Sequence, residues 1–592
     1  MVAAQKHTSS FGTPIIGVRS SSTNKFWQGL SPNQDRLALK FSQQFSIHDT
    51  VARALARRIG HVSEIELYTD PKLSDHLFDP FLLPDMKKAA WRLFEAIVRK
   101  ERISFIFSPS ASTLSSCALY SQYLNSHQLK FSFCIINYKT DGYSPSGCYF
   151  RKLARNHSLI ICVGCGTNLH FDYKSLKDTD VIAIDNAIST EFLPNLHALV
   201  NNNRFDADQK YSYLGITGLS YLFLEATNQL FRENDRPDYD LSQNVDLVSI
   251  GTTTENLPMV GLNRAFIREG IDQINQRKRL GINQLCDELA LNRKVNGNLL
   301  STIVNHCLCS GEIADPFDLG LQLLNANGNL QAQRIAKKLV ELYQTTKDLK
   351  QNFLEKSISN AWQRDTTSPL VWATVTGCPT IILKQIAQDI SRLTNRTTLI
   401  FGIQNSVVVA HGHSILGVNL GVIIARCINE GLVISGGGNS HEVKFDVHLK
   451  DVYELIEFVT SRVSEQKWRQ TDNNIIKLDG IMYASGVSLE LVKSLSVLEP
   501  FGIGSPRPRL AFPYHKVISR KKLGEDSLRL TITDEFDASL EAFVGGAFKA
   551  DLIKFLTQVK NERVHLAGYC STYHRSGRVK PVLYIEDAAI AA

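Results

Sequence analysis

Ile103-Ser-Phe-Ile-Phe107 is an apolar run, and Ser108-Pro-Ser-Ala-Ser-Thr113 follows it without a break. The first reads as a short buried strand and the second as a turn of small residues, with a helix over Leu114–Leu124. On its N-terminal side Pro84–Lys100 reads as a helix, because Met86, Ala89, Ala90, Leu93, Ala96 and Ile97 repeat at helical spacing. On its C-terminal side the strand signal recurs at Phe131–Asn137, Ser158–Val163, Asp180–Ile184 and His197–Val200. Continuous apolar runs alternating with helices predict a parallel sheet covered on both faces. Ligands of such sheets sit at the carboxyl ends of the strands. Here those ends are Ser108–Thr113, Gly164–Gly166, Asp185–Ala187 and Asn201–Arg204.

Further out, Gln331–Leu354 keeps one helical pattern without Pro or Gly and reads as an interdomain connector. Residues 369–465 form a second α/β unit containing the Gly-rich run Ser435-Gly-Gly-Gly438. The last hundred residues alternate polar and apolar at Leu528–Thr533 and Val564–Gly568, which suggests a small β-barrel. The predicted division is a lead-in over 1–75, an α/β domain over 76–330, a connector helix over 331–358, a second α/β domain over 359–470 and a barrel over 485–592.

The chain has 592 residues, 43% hydrophobic and 21% charged, which excludes disorder as the dominant state. Its 11 Cys are too sparse for a disulfide scaffold. No apolar run approaches a membrane span, and the polar start lacks a signal-peptide core, so a cytoplasmic location is expected. The net charge is +7. Residues 1–60 carry eight Lys/Arg against Asp35 and Asp49, and the last hundred residues carry a net +4. Basic ends fit a polyanionic partner, and equally fit ordinary solvated surfaces. Cys162-Val-Gly-Cys165 has metal-site spacing but no second pair, so buried thiols are expected. His411-Gly-His413 lacks a completing acid and reads as a polar loop. Gly436, Gly437 and Gly438 suit either a phosphate cradle or a tight turn.

The order of several strings resembles the RecJ single-stranded-DNA exonucleases of the DHH phosphoesterase superfamily, from about Trp27 to Ala589. The strings are Leu83-Pro-Asp-Met86, Asp246–Thr252 with Leu257–Arg264, Gly417–Gly421, Gly431–Gly438, Leu498–Gly504 and Glu586–Ala589. The resemblance implies a DHH-like parallel-sheet domain, a connector helix, a DHHA1-like domain and a C-terminal OB-fold. It implies a 5′→3′ exonuclease on single-stranded DNA, used in repair and recombination, with Mn²⁺ or Mg²⁺ held by Asp and His.

The positions matched to that ligand set depart from it. Three Asp fall at Ser108, Ser110 and Ser112, and another at Gly164. The Asp-His-His signature falls at Asp185, Asn186 and Ala187, and a further Asp falls at Glu255. In the DHHA1-like part a His falls at Cys378, the Arg of a substrate loop at His413 before Ser414, and another His at Asn439. Neutral hydroxyls do not offset the mutual repulsion of two divalent cations, so impaired or lost hydrolysis is expected. Asp185 and Glu255 remain as remnants, with Asp141 a peripheral charge. The alternative is a non-catalytic binder of single-stranded DNA or a protein. Arg204, His413, Ser414, Gly436–Gly438, Arg507 and Arg509 are its expected nucleic-acid contacts. Phe512, Tyr514, Tyr569 and Tyr573 are candidates either to stack bases or to fill the barrel core.

Overall fold

The computed structural model describes residues 13–137, 143, 145–169, 171, 173–176, 178–291, 294–314, 317–362, 368–404, 407–415, 417–467, 474–523, 527–545, 550–559, 562–575 and 578–591. The chain forms two compact units, one of residues 72–469 with 502–504, the other of residues 1–71 with 470–501 and 505–592.

The first unit contains α1 (Met86–Val98), whose apolar stripe is buried. Next come β1 (Ile103–Phe107), α2 (Ala111–Ser126), β2 (Phe131–Ile135), β3 (Leu159–Val163), β4 (Asp180–Asp185) and β5 (Ala198–Asn201). Every residue of β1 and β3 is buried, as expected for strands covered on both faces. The sheet order is β2-β1-β3-β4-β5, and every pairing is parallel. The order reverses between β1 and β3, so Ser108 and Gly164, which follow those strands, flank the crevice where such sheets bind ligands. Helix α3 (Ile216–Glu233) packs over the sheet with Leu219, Leu222 and Phe223 in the core.

Helix α4 (Asn329–Trp362) runs for 34 residues. Ala332, Ile335 and Leu339 on its first half join the core of the first sheet. Leu349, Phe353 and Ile358 on its second half pack on the core of the next. That next sheet contains β6 (Leu370–Thr376), β7 (Thr397–Gln404), β8 (Val407–His413), β9 (Ser435–Gly438) and β10 (Glu442–His448), with α5 (Thr380–Thr394) and α6 (Leu420–Asn429). Its order is β9-β10-β8-β7-β6; β6 and β7 are parallel and the other neighbours antiparallel. The triple glycine is thus a strand rather than a turn.

The second unit holds a barrel of β11 (Gly480–Ile481), β12 (Leu510–Lys522), β13 (Ser527–Thr533), β14 (Ser539–Gly545), β15 (Val564–Arg575) and β16 (Arg578–Ile590). The order β11-β12-β13-β14-β16-β15 closes through a β12–β15 pairing, and β14 runs parallel to β16. Helix α7 (Ala550–Gln558) joins β14 to β15. A closed Greek-key barrel of this kind is an OB-fold. Residues 13–71 of the lead-in belong to the barrel's unit. The strand Phe26–Gln28 pairs in parallel with Ile475–Lys477, and fully buried Trp27 donates its Nε1–H to Asp587 Oδ2 at 2.8 Å.

Candidate functional site

The turn after β1 commits its hydroxyls within the fold. Ser110 caps α2: its Oγ accepts from the Thr113 amide at 3.3 Å, and Thr113 Oγ1 accepts from the Ser110 amide at 3.0 Å. Thr113 also donates to the Ser108 carbonyl at 2.6 Å. Ser110 and Ser112 hydroxyls lie 3.1 Å apart. Buried Ser108 accepts from the Lys444 ammonium at 2.9 Å. Gly164 has φ +67°, and a Cβ there would lie 2.8 Å from Thr113 Cγ2 and 2.9 Å from Ile216 Cδ1.

Asp185 ends β4 and is buried. One of its oxygens accepts from the Thr167 amide and hydroxyl at 3.1 and 2.7 Å. The other accepts from the amides of Asn186 and Ala187 at 2.9 and 3.3 Å. Glu255 sits against the N-terminus of α3. Both its oxygens accept from the Ile216 amide at 3.0 Å, and Asn186 Nδ2 donates to Oε2 at 2.8 Å. Burial pushes this carboxyl up to about 7, against the Ile216 amide, the Ser112 hydroxyl, the charge of Lys384 and the Asn186 amide. Ser108, Gly164, Asp185, Asn186, Ala187 and Glu255 therefore gather at one edge, tied through Ser112 and Asn186. Asp141 lies outside the described residues.

The second sheet presents β9 and β10 to that edge. Gly438 O accepts from the Ile188 amide at 2.8 Å, and Gly436 O accepts from Asn168 Nδ2 at 3.3 Å. A Cβ on Gly437 would meet Asn168 Nδ2 at 2.7 Å. Glycine is required here because β9 lies directly on the first sheet's loops. Glu442 pairs with Lys384 at 2.6 Å and accepts from Asn256 Nδ2 at 3.3 Å. Asp446 accepts from the Tyr143 amide and the Ser435 hydroxyl, each at 2.8 Å, and burial pushes it up to about 6. Burial holds His413 down at about 4, so its ring is neutral. Ser414 is buried and donates to the Ser440 carbonyl at 3.0 Å. Cys378, Cys162 and Cys165 are buried thiols. Arg204, expected among the nucleic-acid contacts, is instead enclosed, paired with Asp85 and Asp206 at 2.8 and 2.7 Å. Among the described residues no group of three or more His, Cys, Asp or Glu is arranged to hold a metal ion.

In the barrel the registers align side chains across neighbouring strands. Arg529 faces Phe543, Phe543 faces Tyr584, and Tyr584 faces Tyr569. The Phe543 and Tyr584 rings stack at 5.7 Å and the Tyr584 and Tyr569 rings at 5.2 Å. Tyr573 leans on Phe543 at 5.0 Å. The Arg507 guanidinium lies 5.1 Å from the Tyr569 ring centre, and Arg529 lies 5.9 Å from that of Phe543. Leu528, Leu530, Ala542 and Val544, which alternate with this row on β13 and β14, fill the core, so the row is on the outside.

Residues 478–587 match the family model of the RecJ OB domain. The single-stranded-DNA-specific exonuclease RecJ of Bacillus subtilis is 23% identical over 576 residues, covering 95% of this chain and 71% of that protein. The chain is similar to the RecJ exonucleases over most of its length. Escherichia coli RecJ is 22% identical over 475 residues, covering 76% of this chain and 81% of that protein. The crystal structure of Thermus thermophilus RecJ in complex with Mn²⁺ superposes with a TM-score of 0.74 at 19% identity, over 95% of this chain and 79% of that one. The RecJ-like fold thus extends over both α/β sheets and the barrel. Within it, Phe512 is core, Tyr514 is exposed, and Tyr569 and Tyr573 belong to the outer row. Arg509 pairs with Glu586 beside that row. The sequence reading missed Phe543, Tyr584 and Arg529. The signal was there: each occupies the outward phase of an alternating strand, beside buried neighbours. It also missed Lys384, Glu442 and Lys444, which no string of the RecJ resemblance includes.

Proposed function

We propose that this RecJ-like chain binds single-stranded DNA through its OB barrel and does not hydrolyse it at the DHH-like centre. The observation that carries the reading is the bonding of the two remaining acids. Asp185 already accepts from four protein donors, and Glu255 from the Ile216 amide, Ser112 and Asn186. The other positions matched to ligands are Ser108, Ser110, Ser112, Gly164, Asn186 and Ala187. Hydroxyls, an amide and an alanine are poor partners for paired Mn²⁺ or Mg²⁺, which take several anionic oxygens. This set of side chains therefore does not fit a two-metal centre.

The binding half of the reading rests on the outer row of the barrel. Stacked rings flanked by guanidiniums offer bases a flat apolar surface and phosphates a cation. Arg507 and Arg509 belong to this surface, whereas Arg204, Ser414 and Gly436–Gly438 are engaged within the fold. The test is incubation of the purified protein with a 5′-labelled single strand and Mn²⁺, beside a fluorescence-anisotropy titration of the same strand. Intact label with salt-dependent binding is expected. Release of labelled nucleotide by the wild type, lost in Asp185→Asn, would overturn the non-catalytic reading.

A further inference from the structure

The carboxyl edge of the first sheet carries Ser108 and Gly164 where the resemblance implies acids, yet the residues facing it are charged. Glu442, Lys444 and Asp446 alternate along β10 and so share one face of the second sheet. The register pairs Lys444 with His411 on one side and with Gly437 on the other. Paired residues share a face, and a Cβ on Gly437 would lie 2.7 Å from Asn168 and 3.6 Å from Ala187. The Lys444 side chain therefore points at the strand ends of the first sheet. There its ammonium donates to Ser108 Oγ at 2.9 Å. Lys384 stands beside it, paired to Glu442 at 2.6 Å, and its field favours the charged form of Glu255. Lys444 does the same for Asp446. His411, 6% exposed, has an Nδ1 with no partner among the described residues, and both ammoniums oppose its protonation.

We propose that the ammonium of Lys444, supported by Lys384, is the resident cation of this cleft. It takes the place next to position 108 that a divalent ion would need, and it repels such an ion. Lys384 and Lys444 thus offset part of the charge of Glu442, Glu255 and Asp446 without metal. The same bond joins the two sheets of this unit, so the cation also acts as a latch between them. The inference builds on the reading of the centre as metal-free, but its test does not use nuclease activity.

The test is a double-mutant cycle of Ser108→Asp and Lys444→Met, with thermal unfolding followed with and without millimolar Mn²⁺. Ser108→Asp alone is expected to pair with Lys444, raising Tm by a few degrees with no response to Mn²⁺. Ser108→Asp with Lys444→Met is expected to lower Tm and to recover several degrees with Mn²⁺, since a ligand of the native state stabilises it. Calorimetry should then give Mn²⁺ binding to the double variant at least about tenfold tighter than to Ser108→Asp, the effect of removing a cation a few ångströms away. If the double variant fails to fold by circular dichroism, Lys444→Ala replaces Lys444→Met in the same cycle. Equal Mn²⁺ affinity with and without Lys444 would overturn the proposal. So would a Ser108→Asp protein that gains Mn²⁺ stabilisation while Lys444 is intact. Cleavage of DNA by the wild type would overturn the proposed function and leave the cycle to decide this point separately.

Discussion

Glu255 carries its carboxyl up to about 7 from an ordinary 4.5 because enclosure by protein outweighs every group that favours its charge. The unfolded chain releases this proton near 4.5, while the folded chain keeps it until about 7. Over that window the folded state binds more protons, so stability falls as pH rises. Below the window both states are protonated, and above it both are ionised, so the loss is then complete and flat. The size is about 3 kcal/mol for this buried group. Asp446, raised from 3.8 to about 6, adds a slope of the same sign over its own lower window. Denaturant titrations at about pH 5 and about pH 7 should show the wild type losing stability. In Glu255→Gln, whose amide keeps its acceptor and points its donor at Ser112, that part of the slope should vanish. An unchanged slope in the variant would show that Glu255 is not its source. Gly164 makes a second prediction at this scale. Asp at this position would enter a left-handed backbone and press on Thr113 and Ile216, at a cost of about 1–3 kcal/mol. Thermal unfolding of Gly164→Asp measures it, and a neutral result would mean that the turn relaxes freely. An acid at position 164, which the resemblance implies, is thus opposed by the fold itself.

Helix α2 shows what the turn before it does for the fold. Ser110 and Thr113 close a reciprocal cap on its first turn. Ser110→Ala should therefore cost about 1 kcal/mol of stability, read from the urea midpoint. No change would mean that solvent caps the helix as well as Ser110 does. Elements of this kind are readable in the sequence to different degrees. The strand Ile103–Phe107 has the bounds its apolar run predicts, and helix α4 (Asn329–Trp362) contains the predicted connector and runs past it at both ends. Burial on both faces, or one unbroken stripe, leaves a local signature. The run Gly436–Gly438 reads in sequence as a turn or a cradle because glycine usually marks one. In the strand, a side chain at Gly437 would meet Asn168 of the neighbouring lobe and side chains at Gly436 and Gly438 would strike the backbone of β10, and no local pattern records either neighbour. The ligand-position residues gather at one edge because strand ends of a parallel sheet do so. Lys444 is invisible in the sequence for the opposite reason: its partner Ser108 is 336 positions away in the chain.

For the molecule as a whole, the outer row of the barrel is where binding should be felt. Arg529, Phe543, Tyr584 and Tyr569 are aligned across four strands, so removing the middle ring breaks the surface. Tyr584→Ala should weaken single-strand binding by about 1–3 kcal/mol, the worth of one stacked base. Arg507→Ala should weaken it as well and make the affinity less sensitive to salt, because a phosphate contact is removed. Anisotropy titrations at two ionic strengths separate the two effects. Equal affinity of both variants and wild type would move the nucleic-acid surface elsewhere.

The parallel pairing of Phe26–Gln28 with Ile475–Lys477 also sets a schedule for biosynthesis. Phe41 and Leu55 share a buried cluster with Leu491, Leu495 and Leu498. Their partners leave the ribosome only after the roughly 400 residues that separate the two parts of this unit. At about 5–20 residues per second that delay is on the order of 20–80 s. Throughout it the early segment carries apolar surface with nothing to cover it, while the intervening α/β unit has time to fold first. A nascent chain stalled before Ile475 should therefore protect the intervening unit from protease while residues 13–71 are still cut, and it is this early segment that a chaperone would meet.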